Sequence, residues 1–297
     1  MGIHDFYKII IKNPKSSYDG KPISDLGKEV KLQDIKNHRV CVDASGVIYS
    51  SILAMQRINA LTDSKGNITA HINTIFNKVL QLNSFGIQQV WVFDSDKPNP
   101  VKADELKRRR EKAYKSKDPK VQFRMNAQHV DDIKTLLTML GVAWIIAPQG
   151  LEAEQYGAWL TKGLSLNSRF CQYMLSNDSD VIAFGGTLLR QVSVRSSTGK
   201  TTKTTYFIYE YDMILQEMGI THDELLKIAV IMGTDFNAGT PRIGVKTVVA
   251  KMRAGKVSYT DSQKRIMEYY KTDLTEIITH NDIKFNSKFI KLDNTSN

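Results

Sequence analysis

The chain's 297 residues suffice for one large domain or a domain with an appendage, and 41% hydrophobic with 24% charged residues is ordinary for a globular protein. Its 41 Lys and Arg against 31 Asp and Glu leave a formal charge of +10, which favours a polyanionic partner, most commonly nucleic acid. No apolar run of about 18 residues exists to span a membrane, and the two cysteines, Cys41 and Cys171, lie in apolar runs and read as buried, reduced thiols of an intracellular protein, in nucleus or cytoplasm.

In chain order, the N-terminus lacks a signal peptide's charged start and cleavage site, and Phe6 stands where a myristoylation motif needs Ser or Thr. Arg39 to Asp43 reads as a buried strand. Helical periodicity runs from Ile72 to Leu82, and a second strand from Gln89 to Asp94. Helical patterns at Glu105 to Lys115 and Ala127 to Leu140 precede a third strand, Val142 to Ala147. A helix from Glu152 to Leu160 and a strand from Phe170 to Leu175 follow. Continuous apolar strands alternating with helices predict an α/β fold around a mostly parallel sheet. Arg190 to Tyr211 reads as an antiparallel hairpin turning at Ser197-Thr198-Gly199-Lys200. Thr221 and Glu224 have capping-box spacing and open a helix that runs to Gly233. A short helix from Thr247 to Met252 and a polar tail, residues 273–297, complete the chain.

Carboxylates interrupt these apolar strands at their ends. Asp43 ends the first and Asp94 the second. Glu152 and Glu154 follow the third, Asp178 and Asp180 the fourth, and Asp235 lies beyond the helix that starts after Thr221. The carboxyl ends of parallel strands open on one edge, where ligands bind. So many like charges there require neutralisation, and hard oxygen donors select Mg²⁺ or Mn²⁺ over zinc. A single Asp after a strand is more often a turn former or helix cap; four coincidences at one edge favour a metal site. The spacing of Asp178 and Asp180 places both on one side of an extended strand end, and Glu152 and Glu154 belong in a helix's first turn.

A basic stretch begins eight residues after Asp94. From Lys102 to Lys117 it holds eight Lys or Arg against three acids, and at helical spacing Lys102, Arg109 and Lys112 lean to one side. Such cations suit a scissile phosphate or a threaded single strand; a solvated helix face or a nuclear localisation signal at Lys107 to Arg110 is the plainer alternative.

Taken together, the N-terminal Met-Gly-Ile, Val-Asp-Ala-Ser at Asp43, Val-Phe-Asp with Lys97-Pro98, Glu-Leu-Lys-Arg-Arg, Gly150-Leu151-Glu152-Ala153-Glu154, Ser176-Asn177-Asp178-Ser179-Asp180 and Met232-Gly233-Thr234-Asp235-Phe236 resemble the XPG-type flap endonucleases over about residues 1 to 252. The resemblance implies a PIN-like 5′-nuclease fold with a helical arch and a helix-two-turn-helix motif. It implies one nuclease domain over 1–272: an N-terminal region to about 107, an arch and gateway over about 102–130, an internal region over about 127–232 and the helix-two-turn-helix over about 224–252. The implied activity is 5′ flap endonuclease with 5′–3′ exonuclease action on branched or flapped DNA in replication, repair or recombination.

By the same resemblance, the seven carboxylates would hold two Mg²⁺ ions, with Mn²⁺ able to substitute. Lys102 and Arg109 would be the catalytic basic pair beside Asp180, with Arg108 or Arg110 as alternatives for the second role. Gly2 would let the N-terminus approach the site. Lys107, Lys112, Gly239, Arg242, Gly244 and Lys246 would meet DNA, with a K⁺ at the helix-two-turn-helix. Arg242 stands where that motif has its first glycine and Val245 where it has proline. No sliding-clamp peptide is recognisable after the core, and the expected state is a monomer. The residues leave two rivals open: a catalytically silent DNA-binding module of the same fold, and a phosphatase of small esters, which needs neither the basic helix nor the Gly-x-Lys turn.

Overall fold

The computed structural model describes residues 2–7, 26–55, 64, 69–97, 99–115, 126–163, 166–195, 201–244, 247–276, 283 and 285. Among them a seven-stranded mixed sheet has the order β1-β7-β6-β5-β2-β3-β4. The strands are β1 (Lys28–Val30), β2 (Arg39–Asp43), β3 (Gln88–Phe93), β4 (Ala143–Ile146), β5 (Tyr173–Leu175), β6 (Leu188–Arg195) and β7 (Thr201–Tyr209). From β6 to β4 every pairing is parallel, while β7 pairs antiparallel with β6 and β1. The chain moves outward from β2 to β3 to β4, then returns to place β5 on the other side of β2. That reversal makes the β2–β5 boundary a topological switch point, where a crevice opens.

Period-two alternation directs Val40 and Val42 of β2, with Trp91 and Phe93 of β3, to one face, and Cys41, Val90 and Val92 to the other. On the first face lie α1 (Ala44–Met55), α2 (Ala70–Ser84) and α4 (Ala127–Met139), which contribute Ile48, Ile75, Leu82, Ile133 and Leu137. The second face receives α5 (Ala153–Leu160), α6 (Asp180–Ala183) and α8 (His222–Met232), joined by α10 (Asp261–Lys271). Each buried Ile, Leu or Phe stabilises by roughly 1.5–3 kcal/mol, so burial on both faces fixes where the strand ends fall. The remaining helices are α3 (Ala103–Lys115), α7 (Tyr211–Met218) and α9 (Val248–Arg253). No helix among the described residues is long and apolar enough to cross a membrane, and both cysteines are buried and free.

Two expectations change. The strand expected from Phe170 begins at Tyr173, because the preceding backbone is otherwise engaged: Cys171 N–H donates to Leu160 O and Gln172 N–H to Arg39 O, both at 2.8 Å. Asp178 and Asp180 do not share an extended strand end. Asp178 N–H donates to Ser176 Oγ and Asp180 N–H to Asp178 Oδ1, each at 3.0 Å, and these bonds curl the chain so that Asp180 opens α6. The turn at residues 196–200 lies outside the described residues.

Candidate metal centre and nucleic-acid interface

The end of β2 holds Asp43 firmly. Its Oδ1 accepts the Gly46 N–H at 2.8 Å and its Oδ2 the Ser176 hydroxyl at 3.0 Å. Asp94 follows β3 and accepts the Ala153 N–H at 2.9 Å, tying that strand end to the start of α5. Glu152 is the N-cap residue of α5, with Glu154 in its first turn, the end of a helix where negative charge is favoured. Asp235 sits in the turn after α8, where Thr234 and Asn237 bridge, and its Oδ1 accepts the Gly2 N–H at 3.0 Å. Ile3 N–H donates to Ser179 Oγ at 2.8 Å and His4 N–H to Gly233 O at 2.7 Å, so the first residues are stitched between Asp178 and Asp235. Only glycine fits at position 2: φ is +84° and a Cβ would fall 2.1 Å from Asp178 Oδ1.

These acids share one electrostatic site. Burial, and then the charges of Asp43, Asp94, Asp178 and Glu152, push the Glu154 carboxyl well above its ordinary range. Burial followed by Asp178 and Asp235 does the same to Asp180. Asp43 is pushed up to about 6, chiefly by burial and with Asp94 adding to it. Asp178 is pushed up to about 7, by burial and then Asp235. Glu152 is raised by burial against the opposing pull of Lys102, and feels both Asp94 and Asp235. The acids from both ends of the series therefore meet at one edge of the sheet. Among the described residues no three of them stand as a ready coordination set, and N–H, O–H and ammonium groups engage several of their oxygens. The donor set nevertheless fits a hard divalent cation: it is all carboxylate oxygen, its members repel one another, and Asp180 Oδ1 is buried with no hydrogen-bond partner.

Lys102 is the cation beside these acids. It ends a 3₁₀ turn, Pro100–Lys102, whose cap Asn99 accepts the Val101 N–H and donates to Gly150 O. Its Nζ donates to Glu152 Oε1 at 2.6 Å and lies 5.5 Å from the Phe236 ring centroid. Burial opposes this charge, yet Glu152, Glu154 and Asp235 outweigh it and raise the ammonium's pKa. Lys107, Arg108 and Arg110 lie exposed on α3. Arg109 and Lys112 fall on the same helix, but their side chains lie outside the described residues, as does Lys246.

Between α8 and α9 the chain turns at Gly239, where φ is +81° and a Cβ would meet Met232 O at 2.6 Å. Arg242, exposed, takes φ +65°, a conformation that glycine adopts without cost. Gly244 O accepts the N–H groups of Thr247 and Val248, both at 3.0 Å, as α9 begins. The sequence reading missed Ser176, Ser179 and Phe236. Ser176 had a visible signal, a hydroxyl two residues before Asp178. The Lys102–Phe236 contact spans distant segments and had none.

Residues 1–116 match the XPG N-terminal domain and residues 141–235 the XPG I-region. Flap endonuclease 1 of Methanosarcina barkeri is 29% identical, over 89% of this chain and 84% of the relative. That of Archaeoglobus fulgidus is 31% identical, over 76% and 73%. Among solved structures, the catalytic core of Rad2 in complex with DNA substrate superposes with a TM-score of 0.63 at 21% identity, covering 92% of this chain and 82% of that one. The flap endonuclease-1 of Methanococcus jannaschii gives 0.60 at 23%, covering 82% and 79%. These superpositions establish the shared fold.

Proposed function

We propose, from the premise that the chain belongs to the XPG family of flap endonucleases, that this structure-specific DNA endonuclease cuts 5′ flaps and junctions and also degrades 5′ ends as an exonuclease. The observation that carries this reading is the gathering of carboxylates from four strand ends and the turn after α8, buried at Asp43, Glu152, Asp178, Asp180 and Asp235, with Lys102 among them. In this proposal the whole of 1–272 acts as one nuclease domain and as a monomer, and it serves replication, repair or recombination.

Asp43, Asp94, Glu152, Glu154, Asp178, Asp180 and Asp235 would hold two Mg²⁺ ions, or Mn²⁺ in their place. When bound, such ions acidify a water for attack on the phosphodiester and neutralise the departing oxygen. The chain's own residues do the rest. Lys102 offers its ammonium to the scissile phosphate in competition with Glu152, and the Phe236 ring keeps that ammonium at the site. Arg109 is its proposed catalytic partner on α3, while Lys107, Arg108, Arg110 and Lys112 draw in the strand's phosphates. Gly2 leaves room for the N-terminus between Asp178 and Asp235. Gly239, Arg242, Gly244 and Lys246 grip duplex phosphates at a turn that would take a K⁺.

Mapping cleavage sites on flap, nick, gap and four-way substrates tests the proposal. Incision at the flap junction should require Mg²⁺ or Mn²⁺. A chain that binds flap DNA tightly but leaves every substrate intact with either metal would be the silent module instead.

The carboxylates also predict a pH-dependent stability. Asp43 and Asp178 titrate near 6 and 7 in the metal-free fold, against about 4 in an unfolded chain. The folded state therefore binds more protons than the unfolded state through that window, and stability falls as pH rises from about 4 to 7. In EDTA the melting temperature should be lower at pH 8 than at pH 5. Mg²⁺ should restore it at pH 8 and change little at pH 5. A Mg²⁺ response of equal size at both pH values would contradict the assignment of these carboxylates.

A further inference from the structure

At the C-terminal end of α5, away from Glu152 and Glu154 at its start, lies a cavity that the proposed reaction does not use. Its volume is about 390 Å³, inside the roughly 300–1,000 Å³ typical of small-molecule sites. The eight residues of α5, at about 1.5 Å per residue, put it about 12 Å from Glu152 and Glu154, while Tyr270 both lines it and meets the charge of Asp180. Lys162, Arg169, His222 and Lys271 line it together with the aromatic rings of Phe184 and Tyr270.

Two of its nitrogens and the Tyr270 hydroxyl are buried without a hydrogen-bond partner. Arg169 pairs with Glu210 at 3.3 Å and donates to Thr187 Oγ1 at 3.1 Å, yet its Nε is buried with no partner. His222 Nδ1 is likewise buried and unpartnered. Lys271 is balanced by Asp223 and Glu268. Among the described residues Lys162 makes no ion pair; burial presses its amine toward the neutral form, with Asp273 opposing. Burial and then the charges of Lys162 and Lys271 lower the His222 imidazolium's pKa, so the potential at that ring is positive. Two acids share the lining, and Asp273 offsets part of this field at Lys162. Asp212 is exposed, and Asp273 Oδ1 is occupied by the N–H and hydroxyl of Thr275 at 3.0 and 2.7 Å. A metal ion finds no free donor set here, whereas an oxyanion would satisfy buried donors that are costly to leave unmade. The rings add an apolar wall: Phe184 and Tyr270 lie 4.6 Å apart by centroid, and Tyr211 packs edge-on against His222 at 5.6 Å. Phe184 and Tyr270 are almost fully buried, so Tyr211 is the ring open to meet a nucleobase.

We infer that this cavity binds the phosphate monoester of a small molecule, and that a 5′-mononucleotide uses both its nitrogens and its aromatic wall. The cavity's nitrogens are distinct from the groups proposed to hold metal, so binding needs no divalent ion and stands whether or not the nuclease reading does.

Calorimetric titration of the full chain in EDTA tests it, with deoxyadenosine 5′-monophosphate, inorganic phosphate and deoxyadenosine as probes. The nucleotide should bind saturably at one site. Phosphate should compete for it more weakly, and the nucleoside should bind about tenfold more weakly or worse, as expected when a charged contact is lost. Lys162→Met and His222→Phe, on different elements, should each weaken the nucleotide by about tenfold with the melting temperature preserved; the pair keeps the test decisive if one variant fails to fold. Asp43→Asn, whose neighbours Gly46, Ser176 and Asp94 do not line the cavity, should bind the nucleotide as the wild type does. Phosphate binding as tightly as the nucleotide would assign the cavity to the free ion and remove the base from the proposal. No saturable binding of either phosphate probe would mean that water alone satisfies these nitrogens. That result, a nucleoside as tight as the nucleotide, or folded variants indistinguishable from wild type would each overturn the proposal.

Discussion

Asp180→Asn should abolish flap cleavage while leaving flap binding nearly intact and making the metal-free protein harder to melt. Asp180 is 3% exposed and opens α6, so asparagine keeps its shape and the backbone bond from its N–H to Asp178 Oδ1. Only the charge is lost. A divalent ion held by such a carboxylate contributes several kcal/mol to the transition state, and about 4 kcal/mol at 1.36 kcal/mol per decade is a loss of about 10³ in single-turnover rate. Stability should move the other way. Burial and the charges of Asp178 and Asp235 disfavour the Asp180 carboxylate, its Oδ1 has no partner, and an amide removes the repulsion. Activity lost with melting temperature gained cannot be a folding defect. A single-turnover rate near wild type would refute the assignment. A folded variant that lost DNA binding along with cleavage would argue for a positioning role in place of a metal role.

How much of this site could be read from the chain follows from how local its causes are. Asp43 and Asp94 were legible because parallel strands buried on both faces are continuous apolar runs, so an acid marks where burial ends. The Thr221–Glu224 capping box is equally local, and both of its hydrogen bonds form, at 2.9 and 3.2 Å. Strand β1 was not legible. Its three residues carry too little pattern, and they owe their conformation to β7, about 180 positions away, through the Lys28–Ile208 register. The curl from Ser176 to Asp180 was misread as extended because a serine hydroxyl, not strand periodicity, decides it. At Arg242 the sequence showed a missing glycine, while the backbone keeps the left-handed turn. The Lys102–Glu152 pair lay hidden for a similar reason: the basic run pointed to α3, but the ion-paired lysine sits just before that helix, aimed by the Asn99 cap and Pro100.

Lys102→Ala should slow single-turnover cleavage by about 10² to 10³, the cost of removing one preorganised donor from a developing oxyanion. Two effects contribute, and they can be separated. The ammonium lies beside the carboxylates, 2.6 Å from Glu152 and seated on Phe236, where an incoming phosphate meets it. It also lowers the Glu152 carboxyl, which burial otherwise raises, so its removal should leave Glu152 more readily protonated and a weaker ligand. Raising Mg²⁺ and pH together corrects the second effect but not the first. If the rate defect persists at saturating Mg²⁺ and pH 8.5, Lys102 acts on the phosphate. If it vanishes there, Lys102 only tunes Glu152, and the catalytic cation must be sought on α3, at Arg108, Arg109 or Arg110. Phe236→Leu separates the two contributions further: it removes the ring beneath the ammonium and leaves Glu152 its partner, so it should lower the rate modestly without shifting the Mg²⁺ requirement.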